Sequence, residues 1–154
     1  QLATELGWHF IEGDEFHPAA NVEKMSQGIP LNDDDRWPWL TALRQKIAVL
    51  QRQQQSAVVA CSALKQRYRE WLQPPDQPSH VRFVYLKGSF ELLRSRLEQR
   101  EAHFMPADML HSQFETLEEP GDAITIDLDS CQSTPQVLGQ ICQRLQLSPD
   151  PCKE

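Results

Sequence analysis

The 154 residues contain no apolar run near the ~20 residues that a membrane-spanning helix needs. They contain no C-x-x-C pair either. Cys61, Cys131, Cys142 and Cys152 stand apart and join no histidine in a metal-ligand spacing, which predicts reduced, structural thiols in a cytoplasmic protein. Cations are in the minority: 15 Lys and Arg stand against 22 Asp and Glu, for a formal net charge of −7. Non-specific nucleic-acid binding is thereby disfavoured, because phosphate contacts need clustered Lys and Arg. An anionic ligand would have to be met by locally placed cations. The opening residues lack the charged, apolar and small-residue order of a secretory leader, and no internal repeat is visible. What is present is ordinary. Hydrophobic residues make up 40% and charged residues 24%, the proportions of one globular domain over residues 1–154.

The periodicity predicts strands alternating with helices. Gln1 to Leu6 reads as the end of a helix stopped at Gly7, and Trp8 to Ile11 as a strand. Glu12 to Pro38, rich in Asp, Asn, Gly and Pro, reads as loop and short helix at the surface. Trp39, Leu40, Leu43, Ile47 and Leu50 then fall on one face of a long amphipathic helix that Gln51 to Ser56 ends. Ala57 to Cys61 is wholly apolar, as in a strand buried on both faces, and Ser62 is placed to cap the helix carrying Leu64, Tyr68 and Leu72. Val81 to Leu86 and Ile124 to Leu128 are further strands. Ser89 to Arg100 and Asp108 to Leu117 are helices separated by an interruption. Thr134 and Pro135 read as N-cap and first residue of a last helix bearing Val137, Leu138, Ile141 and Leu145. Such alternation implies an α/β fold, a parallel sheet with helices on both faces, whose ligands bind beyond the carboxyl ends of the strands.

That rule selects the chemistry-bearing residues. Glu12 and Asp14 sit two apart across Gly13; in a strand-end loop one could face a metal while the other takes a proton from a substrate hydroxyl, or both could belong to a solvated acidic turn. His17 follows, as a ligand group or a surface histidine. In Asn32-Asp33-Asp34-Asp35-Arg36, N-capping accounts for the acids, but a cation in a first helical turn opposes the dipole, which favours a ligand role for Arg36. Cys61 to Lys65, with Arg67 and Arg69, is a strand-to-helix junction where backbone N–H groups and cations could meet an anion, or merely a capped, solvated basic face. Arg94, Arg96, Arg100 and His103 surround the helical interruption, where a basic segment, residues 101–117, could close over polyphosphate as a lid.

Taken together, GDEFHPAANVEKMSQGIPLNDDDRWPWL (Gly13 to Leu40), CSALKQRYR (Cys61 to Arg69), LKGSF (Leu86 to Phe90) and REAHFMPADMLHSQFETLEEP (Arg100 to Pro120) resemble the small gluconokinases of the P-loop kinase superfamily. The H-P-x-x-N-x-x-K-M and PLNDDDR-x-PWL blocks are long and unusual, and the pieces stand in family order. The resemblance implies ATP-dependent phosphorylation of the 6-hydroxyl of D-gluconate to give 6-phospho-D-gluconate, with Mg2+. By the same resemblance Asp14 orients or deprotonates the hydroxyl, and Glu12 stands near the metal, one methylene longer than the usual Asp. His17, Arg36, Lys65 and Arg69 line the gluconate site, and Arg100 and His103 belong to the lid over the ATP phosphates. Ala102 replaces the lid glycine of the family, and a homodimer is the implied assembly.

One departure is large. The family opens with a strand running into a G-x-x-G-x-G-K-[ST] phosphate loop, whereas the six glycines here lie at 7, 13, 28, 88, 121 and 139. The missing strand is central in such sheets, so its two neighbours are expected to keep unpaired edges, and the 154 residues by themselves are expected to show little or no kinase activity. They read as an N-terminally incomplete kinase or, alternatively, as a non-catalytic binding or interaction module of the same fold.

Overall fold

The computed structural model describes residues 1–99, 107–131 and 133–147. Helix α1, Leu2–Leu6, stops where expected: Gly7 takes the left-handed conformation at φ 66°, and Trp8 N returns to Ala3 O at 2.9 Å. Strand β1, His9–Glu12, begins one residue later than expected and ends on Glu12 itself. A 3-10 turn, Gly13–Phe16, then leads to α2, Ala19–Ser26, and to α3, Asp33–Arg52. After β2, Ala57–Ala60, come α4, Gln66–Leu72, and a 3-10 turn at Pro78–His80. The remainder is β3, Val84–Lys87; α5, Phe90–Glu98; α6, Ala107–Thr116; β4, Ile124–Asp127; and α7, Thr134–Leu145. No helix among the described residues is long and apolar enough to cross a membrane.

Both strand pairs are parallel, as the alternation required. His9 to Glu12 pair with Ala57 to Ala60, and Val84 to Lys87 with Ile124 to Asp127. The pairs do not join: the described strands form two two-stranded sheets, β1-β2 and β3-β4, so β2 and β3 each keep one unpaired edge. This bears on an expectation that fails. Ala57 to Ala60 were expected to be buried on both faces, yet all four are only half-buried, and Leu86 in β3 is 46% exposed. A two-stranded sheet has no third strand to cover those positions.

Two apolar clusters form. In the first, Trp39, Leu40, Leu43 and Leu50 of α3 pack with Ile11 of β1 and with Tyr68 and Leu72 of α4. In the second, Ile126, Leu128 and Cys131 pack with Val137 and Ile141 of α7, and Leu2 of α1 lies against them. Each large side chain so buried contributes about 1.5–3 kcal/mol. The helical spacing read along α3 is therefore the spacing of a core face.

Helix starts depart from the sequence reading in three places. Helix α3 begins at Asp33, upstream of Pro38, because Asn32 and Asp35 form a reciprocal capping box: Asp35 N donates to Asn32 Oδ1 at 2.9 Å and Asn32 N to Asp35 Oδ2 at 3.0 Å. Pro38 then forfeits one helical bond, to the carbonyl of exposed Asp34, which water can serve. Ser62 caps nothing, since α4 starts four residues later with Lys65 in the cap position. For α7 the cap is Ser133 rather than Thr134, with Gln136 reaching back to Ser133 N at 3.2 Å. Of the segment 101–117, residues 107–116 form α6. The rest up to 106, with Arg100 and His103, lies outside the described residues.

Candidate functional site

The carboxyl ends of β1 and β2 meet at a glycine. A Cβ on Gly13 would stand 2.3 Å from the carbonyl oxygen of Ala60, so only glycine lets the chain turn there against β2. The Gly13 carbonyl accepts a 2.7 Å hydrogen bond from Nε1 of Trp39, a side chain with no exposed surface. The turn is thus tied directly to α3. It lifts Asp14 to the surface, where its side chain is 53% exposed and its Oδ1 lies 3.8 Å from Nε2 of His17. His17 is the opposite case: its side chain is only 4% exposed, and its ring stacks on the Trp39 indole at 4.5 Å and 15°. Burial pushes the His17 pKa down, opposed by the Asp14 carboxylate and assisted by Arg36, so the imidazole is neutral at neutral pH. Buried Asn21, on α2, links this ring to the first turn of α3 through His17 Nδ1 and the Asp35 carbonyl. Lys24, one helical turn on, pairs with the Asp35 carboxylate at 2.6 Å. The H-P-x-x-N-x-x-K-M block is therefore the brace that sets α2 against the start of α3.

Cations gather on the other side of that start. Arg36 is 8% exposed, and its Nε donates to the Leu31 carbonyl at 3.3 Å; it has no carboxylate partner among the described residues. Its guanidinium, the Lys65 ammonium and the Arg67 guanidinium lie 6.0, 5.9 and 5.6 Å from the centre of the Tyr68 ring. Asp33 neutralises two of the three: it accepts from Lys65 Nζ at 2.9 and 3.1 Å, from Arg67 Nη2 and from the Tyr68 hydroxyl. Those bonds, that from Tyr68 first, hold the Asp33 carboxyl well below the usual aspartate range, while burial and Asp33 push the Tyr68 hydroxyl up to about 12. A depressed carboxyl pKa stabilises the fold fully above the ordinary value of 3.8 and loses that contribution as pH falls below it. Asp33→Asn is accordingly expected to lower the thermal midpoint at neutral pH, with the difference from the parent chain shrinking in acid. A difference that stays constant from neutral pH to below the ordinary aspartate value would show that Asp33 acts by shape alone.

Not every residue singled out in the sequence joins this group. Arg69 is buried, but its Nη1 donates to the Ala63 and Leu64 carbonyls at 3.0 Å each, so it holds the β2–α4 loop. The junction does meet an anion, and the anion belongs to the chain: Glu118 Oε2 accepts from Gln66 N at 2.6 Å, while Glu118 N donates to Leu64 O at 2.9 Å. Cys61 feels both carboxylates, Asp14 and Glu12, as well as Arg36. Burial, the largest cause, pushes its thiol up to about 12, which makes it inert. Cys61, Cys131 and Cys142 are free thiols. Among the described residues no group of three or more His, Cys, Asp or Glu could hold a metal, leaving Glu12 and Asp14 as the carboxylates at the strand end. Inside the two long blocks the sequence assigns Asn21 no role, marks Asp33 only as a capping acid and Trp39 only as part of an apolar helix face, and so misses their parts in this site. Glu118 lies in the Arg100 to Pro120 piece, but nothing local pairs it with Gln66, 52 residues away.

Comparison with known proteins gives the same family from sequence and from shape. No protein-family model matches the chain. It is 49% identical over 137 residues to a gluconokinase of Gluconobacter oxydans, covering 89% of this chain and 76% of that one. It is 44% identical over 133 residues to the thermoresistant gluconokinase of Escherichia coli, covering 84% and 75%. The crystal structure of a sugar kinase from a Janibacter species superposes with a TM-score of 0.84 at 40% identity, covering 96% of this chain and 85% of the other. Identity at this level, over more than two thirds of each chain and with the same parallel α/β architecture, shows that the chain belongs to the gluconokinase family.

Proposed function

We propose that the chain carries the acceptor side of an ATP-dependent D-gluconate kinase, with the sugar acid bound between the end of β1 and the starts of α3 and α4. Arg36 supports this reading most strongly. It is a buried guanidinium without a carboxylate partner among the described residues, and it acts electrostatically on His17 and Cys61 beside Asp14. Gluconate is a carboxylate bearing hydroxyls, and its anionic end is what such a cation takes. Lys65, held in place by Asp33, is the second cation for it. Arg69 serves the site by holding the loop that presents Lys65.

Asp14 accepts the proton of the attacking hydroxyl, which its exposure at a strand end permits. His17, nearly covered by its neighbours, works on Asp14 rather than on the sugar acid. Arg100 and His103 remain the cations assigned to the nucleotide phosphates. Glu12 and Asp14 are the donors on offer to Mg2+. One or two carboxylates plus phosphate oxygens are the set that ion usually takes, so these residues fit an ion carried by ATP rather than a protein-built cage. Glu12 would hold it from the protein side. When bound, the ion neutralises charge on the transferring phosphate.

The test is ATP-dependent phosphorylation of D-gluconate, read through 6-phosphogluconate dehydrogenase. It compares the 154 residues alone with the same chain preceded by a relative's first strand and phosphate loop. Activity is expected in the extended form and little or none in the other. In the extended form Arg36→Met is expected to raise KM by roughly 10–150-fold, the equivalent of ~1.5–3 kcal/mol for hydrogen bonds to a charged group. Two folded but inactive forms, or an unchanged KM in Arg36→Met, would overturn the reading.

A further inference from the structure

We propose that Asn21 is a positioning residue that locks His17 in its Nε2–H tautomer, so that the ring presents a donor, and no basic nitrogen, toward Asp14. Its catalytic meaning rests on the role of Asp14 proposed above; the tautomer does not.

The argument is one of donors and acceptors. Asn21 is a polar residue 3% exposed within α2, and a buried amide must spend its hydrogens. Its Nδ2 lies 2.7 Å from the Asp35 carbonyl oxygen and 3.2 Å from His17 Nδ1. A peptide carbonyl only accepts, so the atom facing it is the NH2 group, and the orientation of the amide follows. The second hydrogen of that NH2 is directed at Nδ1, which must therefore offer a lone pair. A neutral imidazole has one N–H, and it falls to Nε2.

Nε2 is the nitrogen that faces Asp14 Oδ1, at 3.8 Å. The ring is fixed in this pose, stacked on Trp39 at 4.5 Å with its side chain 4% exposed. Because Nδ1 must accept from the Asn21 amide, the ring keeps a single N–H, on Nε2. A donor there orients one oxygen of the Asp14 carboxylate and leaves the other for the substrate hydroxyl. Hydrogen bonds between catalytic groups are often long in ligand-free sites and tighten once substrate is bound. Because Asp35 immediately precedes Arg36, the same amide also ties the Asp14–His17 pair to the turn that carries Arg36.

The experiment is long-range 15N–1H correlation on the uniformly 15N-labelled chain at neutral pH, with His17 assigned by the signals lost in His17→Gln. The expected pattern for His17 is a bare Nδ1 and a protonated Nε2. A protonated Nδ1, or two nitrogens averaged between the states, would overturn the proposal. Asn21→Leu keeps the size of the side chain and removes both donors; the His17 pattern is expected to move toward averaging or toward the Nδ1–H form. A folded Asn21→Leu with an unchanged Nε2–H pattern would remove Asn21 from the account. Should that variant fail to fold, the spectrum of the parent chain still decides. Gluconate turnover enters none of these readouts, so a failure of the kinase reading and a failure of this one are told apart.

Discussion

Asp14→Asn, in a chain extended by the phosphate-binding loop, is expected to lower gluconate turnover by about 10²–10⁴-fold while changing KM little. Asparagine keeps the shape of the side chain and one acceptor oxygen, so a hydroxyl can still be oriented; what it loses is the ability to take the proton. The side chain is 53% exposed and stands 3.8 Å from His17 Nε2, so the substitution removes no packing. Exposed substitutions of this kind fall within about 0.5 kcal/mol of the parent in stability. The thermal midpoint should therefore be nearly unchanged while kcat collapses. A variant that turns over gluconate at the parent rate would take Asp14 out of the chemistry. One that loses stability and activity together would make it a structural residue of the strand-end turn.

The largest effect on stability is expected at Trp39. It is fully buried at the centre of the first cluster, and it carries three tasks: core volume, the platform under His17 and the hydrogen bond to Gly13 O. Trp39→Ala should cost roughly 3–5 kcal/mol of unfolding free energy, the range for truncating a large buried aromatic. Against a whole-domain stability of ~5–15 kcal/mol this takes much of what there is. Trp39→Phe separates the tasks. It retains most of the apolar volume but leaves the Gly13 carbonyl without its donor, for which about 1–3 kcal/mol is expected. Urea unfolding of both variants checks the ordering. If Trp39→Phe were as costly as Trp39→Ala, the hydrogen bond rather than the packing would dominate. If both cost less than about 1 kcal/mol, the turn and its glycine would be held by something other than α3.

Much of this protein is written in short-range terms, and those terms were legible. The stop at Gly7, the apolar face of α3 and the parallel direction of the strands depend on residues a few positions apart or on simple periods. The two long blocks also carried the family, because their residue types recur together. Where the reading slipped it was by local competition. Ser133 with Gln136 outbids Thr134 as the cap of α7, and the box of Asn32 and Asp35 starts α3 before Pro38 rather than after it.

The burial of β2 and β3 was not legible in the apolar runs, because cover for a strand comes from neighbours and not from its own composition. The same holds for charge. Lys65, Arg67, Arg69 and Arg36 are equivalent as letters, and the sequence assigned three of them to one ligand. The fold gives Lys65 and Arg67 to Asp33 from 32 and 34 residues away, turns Arg69 onto loop carbonyls, and leaves Arg36 buried without a counter-ion among the described residues. Local structure follows from bonds made within a turn or a strand. Which cation stays free for a ligand depends on distances that fall steeply in the Coulomb energy and exist only once distant segments are packed.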